Sequence, residues 1–298
     1  MENIERFFYW INERHAIYQK RAKGQPAPWT DDPILRDYKF TNPFRENDRV
    51  TVWMRKNWTD PNHNRPHGEI IFNCCMFRMV GTSEFANAHG WETDFNAGYT
   101  KNLINTMLKQ GLRTFTGAYI ITNQGLKLPK SEVVVDNFLK PIWENKEALA
   151  QVAAETQSLQ ALHEAMATYR GWGGGGFMSY EVVTDLNYTP VLSSAKDRYH
   201  WANAGPGAKR GLNRIHDRPL KKAMSQHQAN REMQDLLEGG ARYIGKHIDI
   251  LDVDMRCIEH SLCEWDKYER VRLGQGKPRS KYNGVQGSLL EAVHGSVA

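Results

Sequence analysis

Apolar residues recur at helical spacing over most of this 298-residue chain. Ile4, Phe7, Phe8 and Ile11 fall at i, i+3, i+4 and i+7, which predicts an amphipathic helix over roughly the first 20 residues, ending near Gly24. The proline-rich run 25–33 reads as loop, with Thr30, Asp31 or Asp32 placed to cap a short helix carrying Ile34 and Leu35. Val50, Trp53 and Met54 predict another helix within 45–58, whereas the apolar run 73–80 fits strand or helix equally. Leu149, Val152, Leu159, Leu162, Met166 and Tyr169 share one face of a single long helix over 145–169, with Gly171 just past its end. A helical pattern resumes at Phe177–Leu186, and two more helices contain Met233–Leu237 and Met255–Trp265. The Thr-, Ile- and Val-rich segment 116–122 has strand composition and leaves room for one small β-hairpin. Helical patterns outweigh strand patterns throughout, so the fold class is mainly α; the glycine-rich stretch 274–298 reads as a loosely ordered tail.

Three segments concentrate chemistry. Asn203–Arg214 joins two close glycines and a proline to three cations at what reads as a sharp turn into a helix starting near Ala208. Gly205 and Gly207 would expose backbone N–H groups, the helix dipole would aim its positive end at the same point, and Lys209, Arg210 and Arg214 would add charge for a DNA phosphate. An ordinary interhelical turn is the rival reading. On the helix containing 255–270, Met255, Ile258, Leu262 and Trp265 form the core stripe. Glu259 and Asp266 lie on its shoulder as candidate acid/base groups, with His260 and Lys267 further round. The same spacing also suits a solvated helix face with an Asp266–Arg270 pair. Before the helix at 45–58, Arg45 and Arg49 stand four apart as a fork for phosphate, and Asn42 could read a base edge, although a solvated arginine face fits as well.

Other motifs exclude more than they propose. Gly171–Gly176 formally satisfies GxGxxG, yet a helix precedes it and no Gly-Lys-Ser/Thr follows, which argues against a nucleotide-phosphate loop. His63 and His67 lie in loop-forming sequence, so no metal is expected, and nothing calls for a cofactor. A formal net charge of +5 permits nucleic-acid binding without requiring it. The four cysteines contain no CxxC pair and are expected as reduced thiols. No apolar run approaches the ~20 residues that a membrane span needs, so a soluble intracellular protein without membrane contact is expected.

Several segments together resemble one family. Trp-Thr-Asp-Asp-Pro-Ile-Leu (29–35), Phe-Thr-Asn-Pro-Phe-Arg-Glu-Asn-Asp-Arg-Val (40–50), Gly-Phe-Met-Ser-Tyr-Glu-Val-Val-Thr-Asp-Leu (176–186), Ala-Gly-Pro-Gly-Ala-Lys-Arg-Gly-Leu (204–212) and Ile-Glu-His-Ser-Leu-Cys-Glu-Trp-Asp-Lys-Tyr-Glu-Arg (258–270) look like the α-glutamyl/putrescinyl thymine pyrophosphorylases. Their helical module is shared with phage hydroxymethyluracil DNA kinases. The resemblance implies a DNA-glycosylase-like helical fold with a helix-hairpin-helix element near 205–214. It implies one domain of two packed lobes, roughly 1–170 and 171–273.

The implied activity is an amino acid:DNA transferase of bacteriophages, working in the cytoplasm of the infected host. Its partners would be double-stranded DNA carrying activated hydroxymethyluracil and a small amine or amino acid that displaces pyrophosphate. With no phosphate-binding kinase segment in view, the transferase is expected rather than the kinase. Arg45 and Arg49, with Asn42 and Lys267, would receive the pyrophosphate. Glu259 would deprotonate or orient the amine, beside His260 and Asp266, while Gly205, Gly207, Ala208, Lys209, Arg210 and Arg214 would grip the DNA backbone. A base-excision glycosylase and a non-catalytic modified-base reader are the alternatives.

Overall fold

The computed structural model describes residues 2–117, 119–278 and 280–282. Among them no strand forms, and the helices follow in the order α1 (Asn3–Ala22), α2 (Pro33–Asp37), α3 (Arg49–Met54), α4 (His67–Val80), α5 (Ser83–His89), α6 (Ala97–Lys109), α7 (Lys130–Glu132), α8 (Lys140–Glu144), α9 (Lys146–Thr156), α10 (Leu159–Ala167), α11 (Phe177–Leu186), α12 (Pro206–Ile215), α13 (Gln226–Gly240) and α14 (Met255–Arg272). The mainly α reading holds. None of these helices is long and apolar enough to cross a membrane.

The chain divides into two compact units, Trp53–Asp197 and the segments on either side of it. The expected break at 170/171 therefore falls inside a unit. The cause is an apolar seam: α1 buries Phe7, Phe8, Trp10 and Ile11, and Phe7 meets Trp265 of α14 edge-on at 5.7 Å. Burying such side chains stabilises by about 1.5–3 kcal/mol each, which ties the first helix to the last rather than to its neighbours in sequence. Residues 280–282 lie against 37–39, with Lys39 N–H donating to Ser280 O and Tyr282 N–H to Asp37 O, both close to 3 Å. The start of the expected loose tail is thus ordered, and 283–298 lie outside the described residues.

In the middle unit, α4 is buried on nearly every side, from Gly68 to Val80. A helix without a polar face has no 3.6-residue signature, which is why its sequence fits strand equally well. The expected single helix over 145–169 is two. Gln157 adopts φ 45° and Ser158 caps α10, while Asp197 accepts from the N–H groups of Leu159 and Gln160 at 2.8 and 2.9 Å. A carboxylate arriving from elsewhere in the unit satisfies the new helix start, so the break costs little. Among the described residues of 116–122 no hairpin forms: Thr116 N–H donates instead to Val80 O at the end of α4, at 3.0 Å, and just before the segment Thr114 O accepts from Thr82 Oγ1 at 3.0 Å. Nearby, Arg78 donates to both oxygens of Asp185 and, at 3.2 Å, to the Tyr119 hydroxyl, which donates to Glu181 Oε2 at 2.7 Å.

Candidate functional site

The site residues predicted from the C-terminal part of the chain converge where α12 crosses α14. The glycines there serve volume rather than dihedral freedom. A Cβ on Gly207 would stand 2.3 Å from Cys263 Sγ, and one on Gly211 2.7 Å from the Leu262 carbonyl oxygen, so hydrogen side chains are what allow the two helices to touch. Gly205 is the N-cap in extended conformation, φ −74° and ψ 172°. A helix-hairpin-helix is not confirmed: the nearest preceding helix, α11, ends at Leu186, and the chain from there to Gly205 is turns and irregular segments.

The position reserved for a DNA phosphate is occupied from within. Gly205 N–H donates to Glu259 Oε1 at 3.3 Å, and Arg256 Nη1 donates to Glu259 Oε2 at 3.0 Å. Glu259 is buried, so its carboxylate acts as the internal anion at the start of α12. Ala208 is fully buried, and the half-buried Lys209 donates to Met224 O at 3.0 Å. Arg210 and Arg214 both turn onto Asp266: Arg210 Nε reaches Oδ2 and Arg214 Nε reaches Oδ1, each at 2.9 Å. Asp266 has no exposed surface. Arg270 Nε adds a third cation at 3.6 Å from Oδ2.

One turn away on α14 lies a second network. His260 Nε2 and Thr41 Oγ1 share a short hydrogen bond of 2.5 Å, and the Thr41 N–H donates to Glu264 Oε2 at 3.0 Å. Lys267 clamps Glu264 with 2.8 Å bonds to both oxygens while its ammonium sits 5.4 Å from the centre of the Phe40 ring. Burial alone would push the Glu264 carboxyl up. The Lys267 and His260 charges and the Thr41 amide outweigh it and hold the group below its ordinary range, so Glu264 is an anion beside the imidazole. Cys263, between these networks, is driven up to about 12 by burial and then by the Glu259 and Glu264 charges, which keeps it a thiol.

Arg45 and Arg49 do not lie on one helix. Arg45 lies in the 3-10 turn Arg45–Asn47, whereas Arg49 opens α3 and is exposed. Asp48 between them is extended and caps α3, its Oδ2 accepting from Val50 and Thr51 N–H at 3.0 and 3.1 Å, so the two arginines do not share a helical face. Asn42 Nδ2 donates to Asn47 O at 2.8 Å, closing the 42–47 loop on itself. The structure thus joins Gly205 with Glu259, Arg210 and Arg214 with Asp266, and, through Thr41 and Glu264, His260 with Lys267.

Sequence reasoning missed Thr41, Arg256 and Glu264. The spacing of Glu264 from His260 at i+4 and from Lys267 at i+3 was a usable signal for one of them. Thr41 had none, being 219 residues from its partner.

Residues 1–277 match the family described as "5-hmdU DNA kinase, helical domain". A curated protein of Bacillus phage SP10, "5-hmdU DNA kinase", is 25% identical over 289 residues, covering 87% of this chain and 44% of the relative. The chain therefore spans less than half the length of that relative. No solved structure matches it. A family match running from the first helix through α14 covers both units and the whole site, and the chain belongs to the family of 5-hmdU DNA kinase helical domains.

Proposed function

We propose that this protein modifies phage DNA at hydroxymethyluracil-derived bases, displacing pyrophosphate from an activated base with a small amine or amino acid. Family membership supports the DNA substrate class, and the five motifs that resemble thymine pyrophosphorylases support amine transfer. The observation that carries the chemistry is the His260–Thr41 pair with Glu264 beside it. An attacking amine must lose a proton, and an imidazole held beside a carboxylate is a group able to take it.

The proton acceptor in this reading is His260 rather than Glu259. The Glu259 carboxylate holds the α12 start to Arg256 and serves as a positioning residue, as does Asp266 through its arginines. The departing pyrophosphate would leave with its charge neutralised by nearby cations.

The test is to mix the protein with duplex DNA containing 5-pyrophosphorylmethyluracil and a panel of amines, digest the DNA and weigh the nucleosides. A mass gain of one amine with loss of pyrophosphate is the expected result. The name of the Bacillus phage relative favours a second reading, phosphoryl transfer to hydroxymethyluracil. A phosphoryl mass gain from hydroxymethyluracil DNA and a nucleoside triphosphate, with no amine product, would replace the first reading by the second. Free base and abasic sites would replace both by a glycosylase.

A further inference from the structure

We infer that Arg210 and Arg270 form a seat for a phosphoryl oxyanion, with Asp266 as the positioning residue beneath it. Three guanidiniums gather on one carboxylate, leaving two positive charges in excess. Arg214 is not the source of that excess at the surface: its side chain is 7% exposed, and its remaining reach goes to Gln275 Oε1 at 2.8 Å. The excess lies on Arg210 and Arg270, whose side chains are 38% and 36% exposed.

Both arginines approach the same oxygen, Asp266 Oδ2: Arg210 Nε hydrogen-bonds it at 2.9 Å, and Arg270 Nε stands off at 3.6 Å, within ion-pair range and without a hydrogen bond. Among the described residues the Nη atoms of both arginines make no protein hydrogen bond. Two guanidiniums drawn to one oxygen, each with unspent Nη donors, suit an anion with several oxygens better than a single halide or a water.

The seat is also built in advance of its ligand. Asp266 is wholly buried on α14, and the bare Gly207 and Gly211 let α12 bring Arg210 and Arg214 close enough to reach it. Side chains already held by a carboxylate lose less freedom when an anion arrives than free surface arginines do. The phosphoryl group has two possible sources, a DNA phosphodiester or pyrophosphate. The first rests on the reading of the chain as a DNA-modifying enzyme, and the second follows from the anion chemistry alone.

The experiment uses the full chain with Arg210→Gln/Arg270→Gln and, as a charge-preserving control, Arg210→Lys/Arg270→Lys. Affinity for an unmodified duplex is measured across a salt series, and affinity for inorganic pyrophosphate by calorimetry. If the occupant is a phosphodiester, the glutamine pair lowers the slope of log K against log salt by about 1.8, two contacts at ~0.9 each, and the lysine pair keeps the slope. If the occupant is pyrophosphate, its Kd weakens at least about tenfold, the size of one charged hydrogen bond, while the duplex slope stays. Unchanged binding in both arms, in a glutamine variant that melts like the parent protein, overturns the seat.

Asp266→Asn separates positioning from bulk charge. It raises the net positive charge, so electrostatics alone gives tighter anion binding, and loss of the clamp gives weaker binding. Tighter binding would remove Asp266 from the role; if the variant does not fold, the glutamine pair still decides. Absence of amine transfer by the parent protein would sink the proposed function and leave both binding arms readable.

Discussion

The two buried ion clusters have opposite compositions. Around Asp266 a single acid collects three arginines, two of them more than a third exposed. Around Arg78 a single guanidinium, 3% exposed, reaches Asp185 directly and Glu181 through the Tyr119 hydroxyl, with both acids also buried. The first keeps a surplus of cation at the surface, where an incoming anion can exploit it. The second commits its cation to protein carboxylates, so its charge holds α4 to α11. Burial, rather than the number of charges, separates a cluster able to bind from one that braces.

The largest expected effect tests the bracing side. Arg78→Met strands Asp185 in the interior, and thermal or denaturant unfolding should show a loss of about 3–5 kcal/mol. A loss below ~1 kcal/mol, the range of a surface ion pair, would mean that the cluster is wetter than its burial indicates.

Glycine substitutions extend the contrast. Gly211→Ala drives a methyl against the Leu262 carbonyl, which cannot step aside, and should cost about 1–3 kcal/mol as overpacking while prying α12 from α14. In the middle unit Gly174 has open space around it but a φ of +69°, so Gly174→Ala should cost ~1–2 kcal/mol through backbone strain alone. Only the first should also loosen the Arg210–Asp266 bond, visible as weaker anion binding.

Acid titration sharpens the contrast by pH. His15 is lowered to about 4 by burial and by the nearby His247 and Arg14 charges, and burial lowers His89 and His163 as well. The unfolded chain takes up protons near 6.5 that these folded sites refuse, so stability declines as pH falls below 6.5. Glu264 behaves as a clamped carboxylate: its contribution is complete above its ordinary value of 4.5 and is lost as pH falls through the lower folded value. Glu264→Gln should flatten the unfolding-versus-pH curve below 4.5 and leave the 6.5 arm in place.

The smallest effect is expected on the binding side. Arg210→Gln should change stability by only ~0–1 kcal/mol, since its side chain is well exposed and Arg214 still neutralises Asp266.

How much of this was legible in sequence depended on whether a signal was local. The helices at α1, α11 and α14 showed their own apolar periods and the Asp32 cap was visible, because spacing along one helix decides them. The close pair Gly205 and Gly207 stands out in the sequence, whereas the tight contact that Gly207 and Gly211 allow does not. Composition shows that a side chain is missing, but only the partner surface, Cys263 and Leu262, shows what the vacancy is for. Likewise Glu259 stood out as an acid on a helix shoulder, and nothing nearby in sequence revealed that Gly205, 54 residues earlier, would claim its oxygen. The split of 145–169 had the same origin, with Asp197 supplying the deciding hydrogen bonds from 38 residues away.

In the proposed reaction His260 takes the proton while Glu259 holds the scaffold. The deciding experiment is single-turnover transfer to pyrophosphorylated DNA, with His260→Gln and Glu259→Gln compared at saturating substrate. A fall of about 10²–10⁴-fold is expected for His260→Gln, the usual worth of a positioned base, and less than ~10-fold for Glu259→Gln. The reverse order, with Glu259→Gln inactive and His260→Gln near the parent rate, would remove His260 from that role.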